Sequence, residues 1–233
     1  IGSIENQGYE LSIESDNLTG AFSWTTAFNI AFNRNKVLEL GGEEYKEMAE
    51  GDGHLKTGSV RRLIVGEPIG VFYGYRFDGI FQNEEECKQQ TSSASPIGVG
   101  LRRYKDLNGD GKVDAANDRE ILGDANPKFF GGLTNTFAYK GFELNVFLQY
   151  SYGNKILNYN AMELENPTGG QNAYADMVNR WTPENPSNIY PKATTNRALL
   201  VSDRFIEDGS YLKLKTLSLS YSFPKICLLY TSD

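Results

Sequence analysis

The sequence feature that most constrains the fold is an alternation of apolar and polar residues from Phe142 to Tyr152. Even-numbered positions of this run carry Phe, Leu, Val or Tyr, and among the odd-numbered positions only Phe147 is apolar. Successive side chains of a β-strand point to opposite faces, so the run predicts a strand with one apolar and one polar face. Helical periodicity is scarce in the rest of the chain, which indicates an all-β fold.

The same alternation recurs along the chain and predicts antiparallel strands near residues 8–15, 21–33, 129–139, 142–152 and 211–223. Tight turns at Asp16–Gly20 and Lys140–Gly141 join two pairs of these strands, because each turn contains a glycine. The remaining connections, residues 34–128 and 153–204, are very long. Loops of this length are uncommon in compact domains and are usually functional when they occur.

Alternation alone does not decide which face of the sheet meets water. In a soluble sandwich the apolar face packs inward, whereas in a membrane barrel it meets lipid. The run from Phe142 to Tyr152 has 11 residues, and a tilted strand needs roughly 9–11 residues to cross a bilayer. Its aliphatic centre is flanked by aromatic residues, as in the girdles of membrane barrels.

The side on which the connections fall also favours a barrel. If the two tight turns lie on the periplasmic side, both long segments fall on the outer side, which is the usual asymmetry of membrane barrels. This arrangement requires Phe72–Phe81 to lie within the outer loops and not to cross the membrane. The sequence therefore favours part of a large transmembrane β-barrel with long extracellular loops, and a soluble sheet stays open as the alternative.

Composition excludes several classes of function. The 233-residue chain has a net charge of −7, which argues against non-specific nucleic-acid binding. The sequence has one histidine, His54, which excludes zinc sites that need several histidines. His54 lies in a polar stretch, where a solvated side chain is expected. The two cysteines form neither a disulfide framework nor a CxxC site. No catalytic residue is predicted.

An acidic loop that starts at Asp106 has side-chain oxygens at the spacing of a calcium-binding loop. Gly111 stands at the sixth position, where such a loop turns sharply. The loop offers no sulfur or imidazole, so its oxygens favour Ca²⁺. The candidate ligands are Asp106, Asn108, Asp110, Lys112 through its carbonyl, Asp114, Asn117 and Asp118.

A metal-free turn is the alternative for this loop, because Asp, Asn and Gly also dominate ordinary turns. The glutamate that usually closes a calcium loop is missing, and Asn117 and Asp118 follow instead. The three carboxylates between Asp106 and Asp114 repel one another unless a cation neutralises them. We expect a bound Ca²⁺ to stiffen the loop, since no flanking helices are predicted.

Several short motifs follow one another in a fixed order along most of the chain. They are Asn6–Glu10, Trp24 with Asn29, Asn33–Val37, Gly66–Gly70, Phe72–Tyr75, Asp78–Phe81, Tyr104–Asp114, Asp118–Arg119, Ile121–Gly123, Asn126–Pro127, Arg180–Pro186 and Phe205–Lys215. Each motif is weak evidence, but the ordered set resembles the SusC/RagA family of TonB-dependent outer-membrane transporters.

This resemblance implies a large single-chain barrel in the outer membrane of a Gram-negative, Bacteroidetes-type bacterium. It further implies an N-terminal plug, energy supplied through TonB, a SusD-like lipoprotein partner, and oligosaccharides or peptides as cargo. Residues 1–224 would form part of the barrel wall in contact with outer-membrane lipid, with the plug and TonB-binding segment upstream. Residues 225–233 resemble nothing in the family. The family's acidic loop usually closes with Asp at position 12, whereas here Asp118 is displaced by one residue.

Four residues are candidates for contact with substrate, because sugars stack on aromatic rings and hydrogen bond to amides. They are Trp181, Tyr190, Asn145 and Gln149. The alternative to a transporter is a soluble surface module that binds calcium or glycans without catalysis.

Overall fold

The computed structural model describes residues 2–48, 59–165, 172–195 and 200–223. In chain order, its strands are β1 (Gly2–Thr19), β2 (Phe22–Leu40), β3 (Tyr45–Glu47), β4 (Arg62–Ile64), β5 (Val71–Tyr75), β6 (Phe77–Ile80), β7 (Thr91–Ser92), β8 (Arg102–Tyr104), β9 (Lys112–Val113), β10 (Arg119–Asp124), β11 (Phe129–Tyr139), β12 (Phe142–Tyr152), β13 (Lys155–Leu157), β14 (Ile206–Asp208) and β15 (Tyr211–Tyr221). The helices are α1 (Glu84–Gln89), α2 (Tyr159–Leu164) and two 3₁₀ turns, Ala175–Asn179 and Asp203–Phe205. In this part of the chain, no helix is both long and apolar enough to cross a membrane.

The five long strands form one sheet in the order β1-β2-β11-β12-β15. The turn between β11 and β12 consists of Lys140 and Gly141, whose φ angles of 47° and 88° are both positive. Two positive φ angles are typical of the tight turn whose twist matches an antiparallel hairpin. The turn sets Tyr139 opposite Phe142, and from there the register runs without a shift to Phe129 opposite Tyr152.

A β-bulge in β15 keeps all of its leucines on one face. Thr216 pairs with Phe147 and Leu214 pairs with Leu148, so Lys215 is an extra residue between them. Before the bulge the leucines of β15 are even-numbered (Leu212 and Leu214), and after it they are odd-numbered (Leu217 and Leu219). The bulge therefore reverses the parity of the strand and returns both sets to the same face.

The chain divides into two compact units. Of the described residues, the sheet unit contains 6–34, 126–154 and 209–223, and the loop unit contains 2–5, 35–48, 59–125, 155–165, 172–195 and 200–208. The sequence predicts extracellular loops at residues 34–128 and 153–204, and their extracellular location stays a prediction. Residues 225–233 lie outside the described part of the chain, as does His54.

The loop unit has its own hydrophobic core. Its small two-stranded sheets include β5 with β10 and β13 with β14. The buried core residues are Val60, Phe72, Leu122, Leu157, Ala161, Met162, Val201 and Phe205. Helix α2 begins where the Asn158 side chain accepts a hydrogen bond from the Ala161 N–H at 2.8 Å. The long connections are therefore packed structure, and their strands of two to six residues were too short to show a periodic pattern.

The segment Phe72–Phe81 belongs to the loop unit, as the barrel interpretation required. It forms β5, of five residues, and β6, of four residues. Both strands are shorter than the roughly nine residues that a membrane-crossing strand needs. Ile80 and Phe81 at its end are each only 1% exposed, so the burial of these two side chains stabilises the position of the segment.

We expect Met162→Ala to destabilise the loop unit by about 2–5 kcal/mol, because it removes a completely buried side chain and leaves a cavity. Amide hydrogen exchange of β13 and β14 would measure the change. Val178→Ala is the matched control, since the Val178 side chain is 77% exposed. Equal exchange rates in both variants would show that Met162 does not support this core.

Candidate functional site

One face of the five-stranded sheet is a continuous apolar surface. Cross-strand pairs place Trp24 opposite Phe137, Leu133 opposite Leu148, and Val146 opposite Leu217. The apolar side chains that share this face are Phe22, Trp24, Phe28, Ile30, Phe129, Leu133, Phe137, Tyr139, Phe142, Leu144, Val146, Leu148, Tyr150, Tyr152, Leu212, Leu214, Leu217, Leu219 and Tyr221. A surface this wide is larger than the apolar patches that water-soluble monomers usually expose.

Aromatic rings gather at both ends of this face, with aliphatic side chains between them. Near the Lys140–Gly141 turn, the rings of Phe142 and Tyr221 lie 4.5 Å apart, centroid to centroid. At the opposite end, the rings of Phe129 and Tyr152 lie 5.1 Å apart. Leu217 and Leu219 in the aliphatic band are 65% and 70% exposed within the chain. This band with aromatic borders is the pattern of a lipid-facing barrel wall.

The apolar face contains a polar cluster formed by Asn135 and Thr26, and this cluster is internally hydrogen-bonded. The Asn135 side-chain oxygen accepts hydrogen bonds from the Trp24 indole N–H and the Thr26 hydroxyl, each at 2.8 Å. The Thr26 hydroxyl accepts a further bond from the Asn17 amide at 2.7 Å. Side chains of β1, β2 and β11 are thereby joined across the face, which stabilises polar atoms placed away from water.

The opposite face of the sheet is mainly polar and carries two of the predicted substrate residues. Asn145 donates a hydrogen bond to the Thr136 hydroxyl at 3.0 Å. Gln149 is paired with Gly132 on one side and with Lys213 on the other. The two amides therefore lie on one strand and point to the same side, as the alternation predicted.

The two predicted aromatic residues, Trp181 and Tyr190, lie together in the loop unit. The Trp181 backbone N–H donates to the Tyr190 carbonyl at 3.0 Å. The Trp181 indole N–H donates to the Gln82 side-chain oxygen at 3.0 Å. The Arg204 guanidinium lies 5.2 Å from the centre of the Tyr190 ring. Both rings therefore have partners within the fold.

The structure thus divides the four predicted substrate residues into two pairs. Asn145 and Gln149 belong to the sheet unit, whereas Trp181 and Tyr190 belong to the loop unit. Sequence reasoning missed Gln82, which fixes the Trp181 side chain. The Gln82 amide also donates to the carbonyls of Ile80 and Ser187, at 2.8 Å and 3.1 Å. No local pattern predicts these bonds, since Gln82 and Trp181 are 99 residues apart. Substrate contact by all four residues stays a prediction.

The acidic loop is held by hydrogen bonds between its carboxylates and its own backbone. The Asp106 carboxylate accepts the N–H groups of Gly109 and Gly111, both at 2.7 Å. The Asp118 carboxylate accepts those of Leu107 and Asp114, at 2.8 Å and 2.7 Å. Asp118 is fully buried, so its carboxylate fixes the two ends of the loop.

The other candidate ligands lie on the surface of this loop. Asp110 accepts the Lys112 N–H at 2.8 Å and the Asn108 amide at 3.0 Å. Hydrogen bonds from the Asn117 N–H and from the Lys112 ammonium lower the pKa of Asp114. The described residues include the whole loop, and among them no three Asp, Glu, His or Cys side chains are arranged to hold a metal ion. The geometry is that of a hydrogen-bonded turn, and Ca²⁺ binding stays a prediction.

The two curated proteins compared below are both named TonB-dependent receptors. The chain is 38% identical over 226 residues to the TonB-dependent receptor P3 of Formosa agariphila, matching 97% of this chain and 22% of the receptor. It is 26% identical to the TonB-dependent receptor SusC of Bacteroides thetaiotaomicron over 97% of this chain and 21% of that receptor. No family model matches the chain. The chain spans about a fifth of the length of these curated relatives.

The fold has relatives among solved structures as well. The structure of the RagAB peptide transporter superposes with a TM-score of 0.73 at 21% identity, over 100% of this chain and 24% of that one. An open-open state of the RagAB peptide importer gives the same TM-score over 99% of this chain. The antiparallel sheet is thus part of a large barrel and does not close on itself within the described residues. By sequence and by fold, the chain is homologous to a segment of the TonB-dependent receptors of the SusC/RagA family.

Proposed function

We propose that the full protein is an importer in the outer membrane of a Gram-negative bacterium. The single observation that carries this proposal is the continuous apolar face with aromatic borders. Strands of 11 residues in β11, β12 and β15 give this face the height of a membrane-spanning wall. Such a face is stable only against another apolar medium, and lipid is the medium that suits a band of this height.

In this proposal the polar face lines the hydrated interior of the barrel, and the loop unit lies outside the cell. The Lys140–Gly141 turn then lies on the periplasmic side, since short inner turns and long outer connections are typical of such barrels. The cargo is an oligosaccharide or a peptide, delivered with a SusD-like lipoprotein and driven through TonB. Parts of the protein outside this chain contact TonB. Support for these partners comes from the resemblance to the SusC/RagA family.

We propose no catalytic role and no nucleic-acid partner for this chain. Its relatives are receptors by name, and its net charge of −7 disfavours a phosphate backbone. A soluble binding module is the weaker alternative. It would have to keep in water leucines that are 65% to 71% exposed, namely Leu212, Leu217 and Leu219.

We also propose that the acidic loop binds Ca²⁺ as a structural ion. Its carboxylates follow the spacing of a calcium loop, and each oxygen that accepts one N–H keeps a second lone pair. Asp106 and Asp110 would supply oxygens from the first half of the loop, and Asp114 from the second half. The ion would neutralise the carboxylates of the loop. Among them, only Asp114 is paired with a lysine of the loop, Lys112.

A pair of adjacent substitutions tests the membrane proposal. Leu217 faces Val146 on the apolar side, and Ser218 faces Asn145 on the polar side. We expect Leu217→Lys to lower the free energy of unfolding of the full protein in phospholipid vesicles by about 2–4 kcal/mol, because it places a charge in lipid. Ser218→Lys should change this free energy little. Urea titration measures both, and equal losses would contradict a lipid-facing apolar surface.

The calcium proposal is tested by protease protection of residues 102–119. We expect Ca²⁺ to slow cleavage in this segment of the full protein, because an ion bridging several carboxylates holds the loop closed. The double variant Asp106→Asn, Asp110→Asn should lose the protection. Glu43→Gln is the control, since Glu43 lies elsewhere in the loop unit and is paired with Lys46. Cleavage that is indifferent to Ca²⁺ would remove the proposal.

A further inference from the structure

The turn that joins β11 and β12 holds a lysine at the border of the apolar face. The Lys140 ammonium lies 5.2 Å from the centre of the Tyr139 ring. Tyr139 belongs to the apolar face, because it pairs with Phe22 of β2 and Phe142 of β12. A cation is attracted electrostatically to the face of an aromatic ring. This contact therefore keeps the positive charge on the apolar side of the turn.

An exposed row of aromatic rings extends from this lysine across four strands. Cross-strand pairing sets Phe22, Tyr139, Phe142 and Tyr221 side by side at the turn end of β2, β11, β12 and β15. Each of these side chains is between 41% and 51% exposed. Aromatic belts of membrane proteins lie at the level of the lipid headgroups. A sheet whose apolar face meets lipid therefore holds the Lys140 ammonium at headgroup level.

The carboxylates near this turn belong to the other face of the sheet. Glu143 pairs with Ala138 within the polar alternation, and Asp16 lines a depression together with Thr136 of the polar face. No ion pair within the described part of the chain includes Lys140. The apolar side of the turn is therefore positively charged, and the nearby negative charges lie across the sheet from it.

Aliphatic side chains follow the aromatic row along the apolar face. Leu219 pairs with Leu144, and Leu217 pairs with Val146, in the next two rows away from the turn. Rows on one face of a strand are about 7 Å apart, so an apolar surface begins about 7 Å from the aromatic row. Leu219 and Leu217 are 70% and 65% exposed. A ligand that matches the cation, the rings and the leucines has an anionic headgroup joined to apolar chains.

We propose that this border of the sheet is a binding site for an anionic glycerophospholipid. We call it the lysine–aromatic edge, and its members are Tyr139, Lys140, Phe142, Leu217, Leu219 and Tyr221. The Lys140 ammonium pairs with the lipid phosphate, the rings contact the glycerol region, and the leucines contact the acyl chains. A free phosphate compound matches only the lysine, since it has no chains to cover the leucines.

This inference rests on the proposed function, because it requires the apolar face to meet lipid. In the proposed orientation the Lys140–Gly141 turn is periplasmic, so the bound lipid belongs to the periplasmic leaflet. The charge of the edge then selects lipids within that leaflet. Phosphatidylglycerol, which has a net negative charge, should bind there in preference to phosphatidylcholine, which has none.

The experiment measures lipid contact at this edge alone. The full protein is placed in phosphatidylcholine vesicles that contain photoreactive phosphatidylglycerol or photoreactive phosphatidylcholine. Mass spectrometry then gives the ratio of the two crosslinking yields on residues 137–144 and 217–223. We expect this ratio to fall roughly fivefold in Lys140→Asn, because one lysine beside an anionic lipid is lost.

Three further conditions complete the experiment. Asparagine tolerates the positive φ of 47° that Lys140 adopts, so Lys140→Asn retains the turn. Lys140→Arg should keep the ratio within about twofold, because the charge remains. Lys213→Gln is the matched control, since Lys213 lies on the polar face opposite Gln149 and should leave the ratio unchanged. Glycerol 3-phosphate added in solution should not displace the lipid.

Four results would overturn the proposal. Equal yields from the two lipids in the unchanged protein would indicate an ordinary layer of surrounding lipid. A ratio that Lys140→Asn leaves unchanged would mean that the lysine does not bind the headgroup. Equal losses in Lys140→Asn and Lys140→Arg would indicate a changed turn and not a lost charge. Displacement by glycerol 3-phosphate would indicate a site for free phosphate compounds.

A failure of the proposed function is recognised separately. The lysine substitutions at Leu217 and Ser218 test whether the apolar face meets lipid of any charge. If Leu217→Lys alone destabilises the protein and the crosslinking ratio does not depend on Lys140, then only the lipid-binding site is wrong. If both lysine substitutions cost the same free energy, then the membrane proposal itself is wrong.

Discussion

The hydrogen-bonded register between β11 and β12 is the constraint on which the rest of the sheet depends. The turn at Lys140 and Gly141 fixes it, because both residues have positive φ and set Tyr139 opposite Phe142. A shift of one residue would move every apolar side chain of one strand to the polar face. With this register fixed, β2 and β15 add to the two sides of the hairpin with their apolar residues on the same face.

The two faces of the sheet suit separate roles because their side chains differ in polarity. The apolar face is uniform except where Asn135 accepts hydrogen bonds from Trp24 and Thr26, which leaves its oxygen satisfied without water. The polar face is less uniform, since Phe130, Phe147 and Tyr211 interrupt it. A strand that is apolar on one side and mixed on the other suits a wall between lipid and a hydrated path, where only the lipid side must be free of unpaired polar groups.

The loop unit is stabilised differently from the sheet. Its strands are short, so side chains from distant parts of the chain hold it together. Gln82 joins Trp181 to the Ile80 and Ser187 carbonyls, and Glu165 holds Arg204 at 2.6 Å. Arg102 is buried, which lowers its pKa, and it donates to the Glu165 carbonyl at 3.0 Å. Apart from the bond between Gln82 and Ile80, these contacts link residues 39 to 105 positions apart, which explains why local sequence patterns did not reveal them.

The sequence alone determined the five long strands, their two faces, and the ordered motifs that indicate the SusC/RagA family, because these depend on side-chain period and local residue order. It also placed Asn145 and Gln149 on one face of β12. Only the tertiary structure decided which aromatic rings accompany those amides, since Phe130 and Tyr211 reach them through cross-strand pairing. The tertiary structure also decided the bulge at Lys215 and the core around Met162, because register shifts and long-range packing leave no periodic pattern in the sequence.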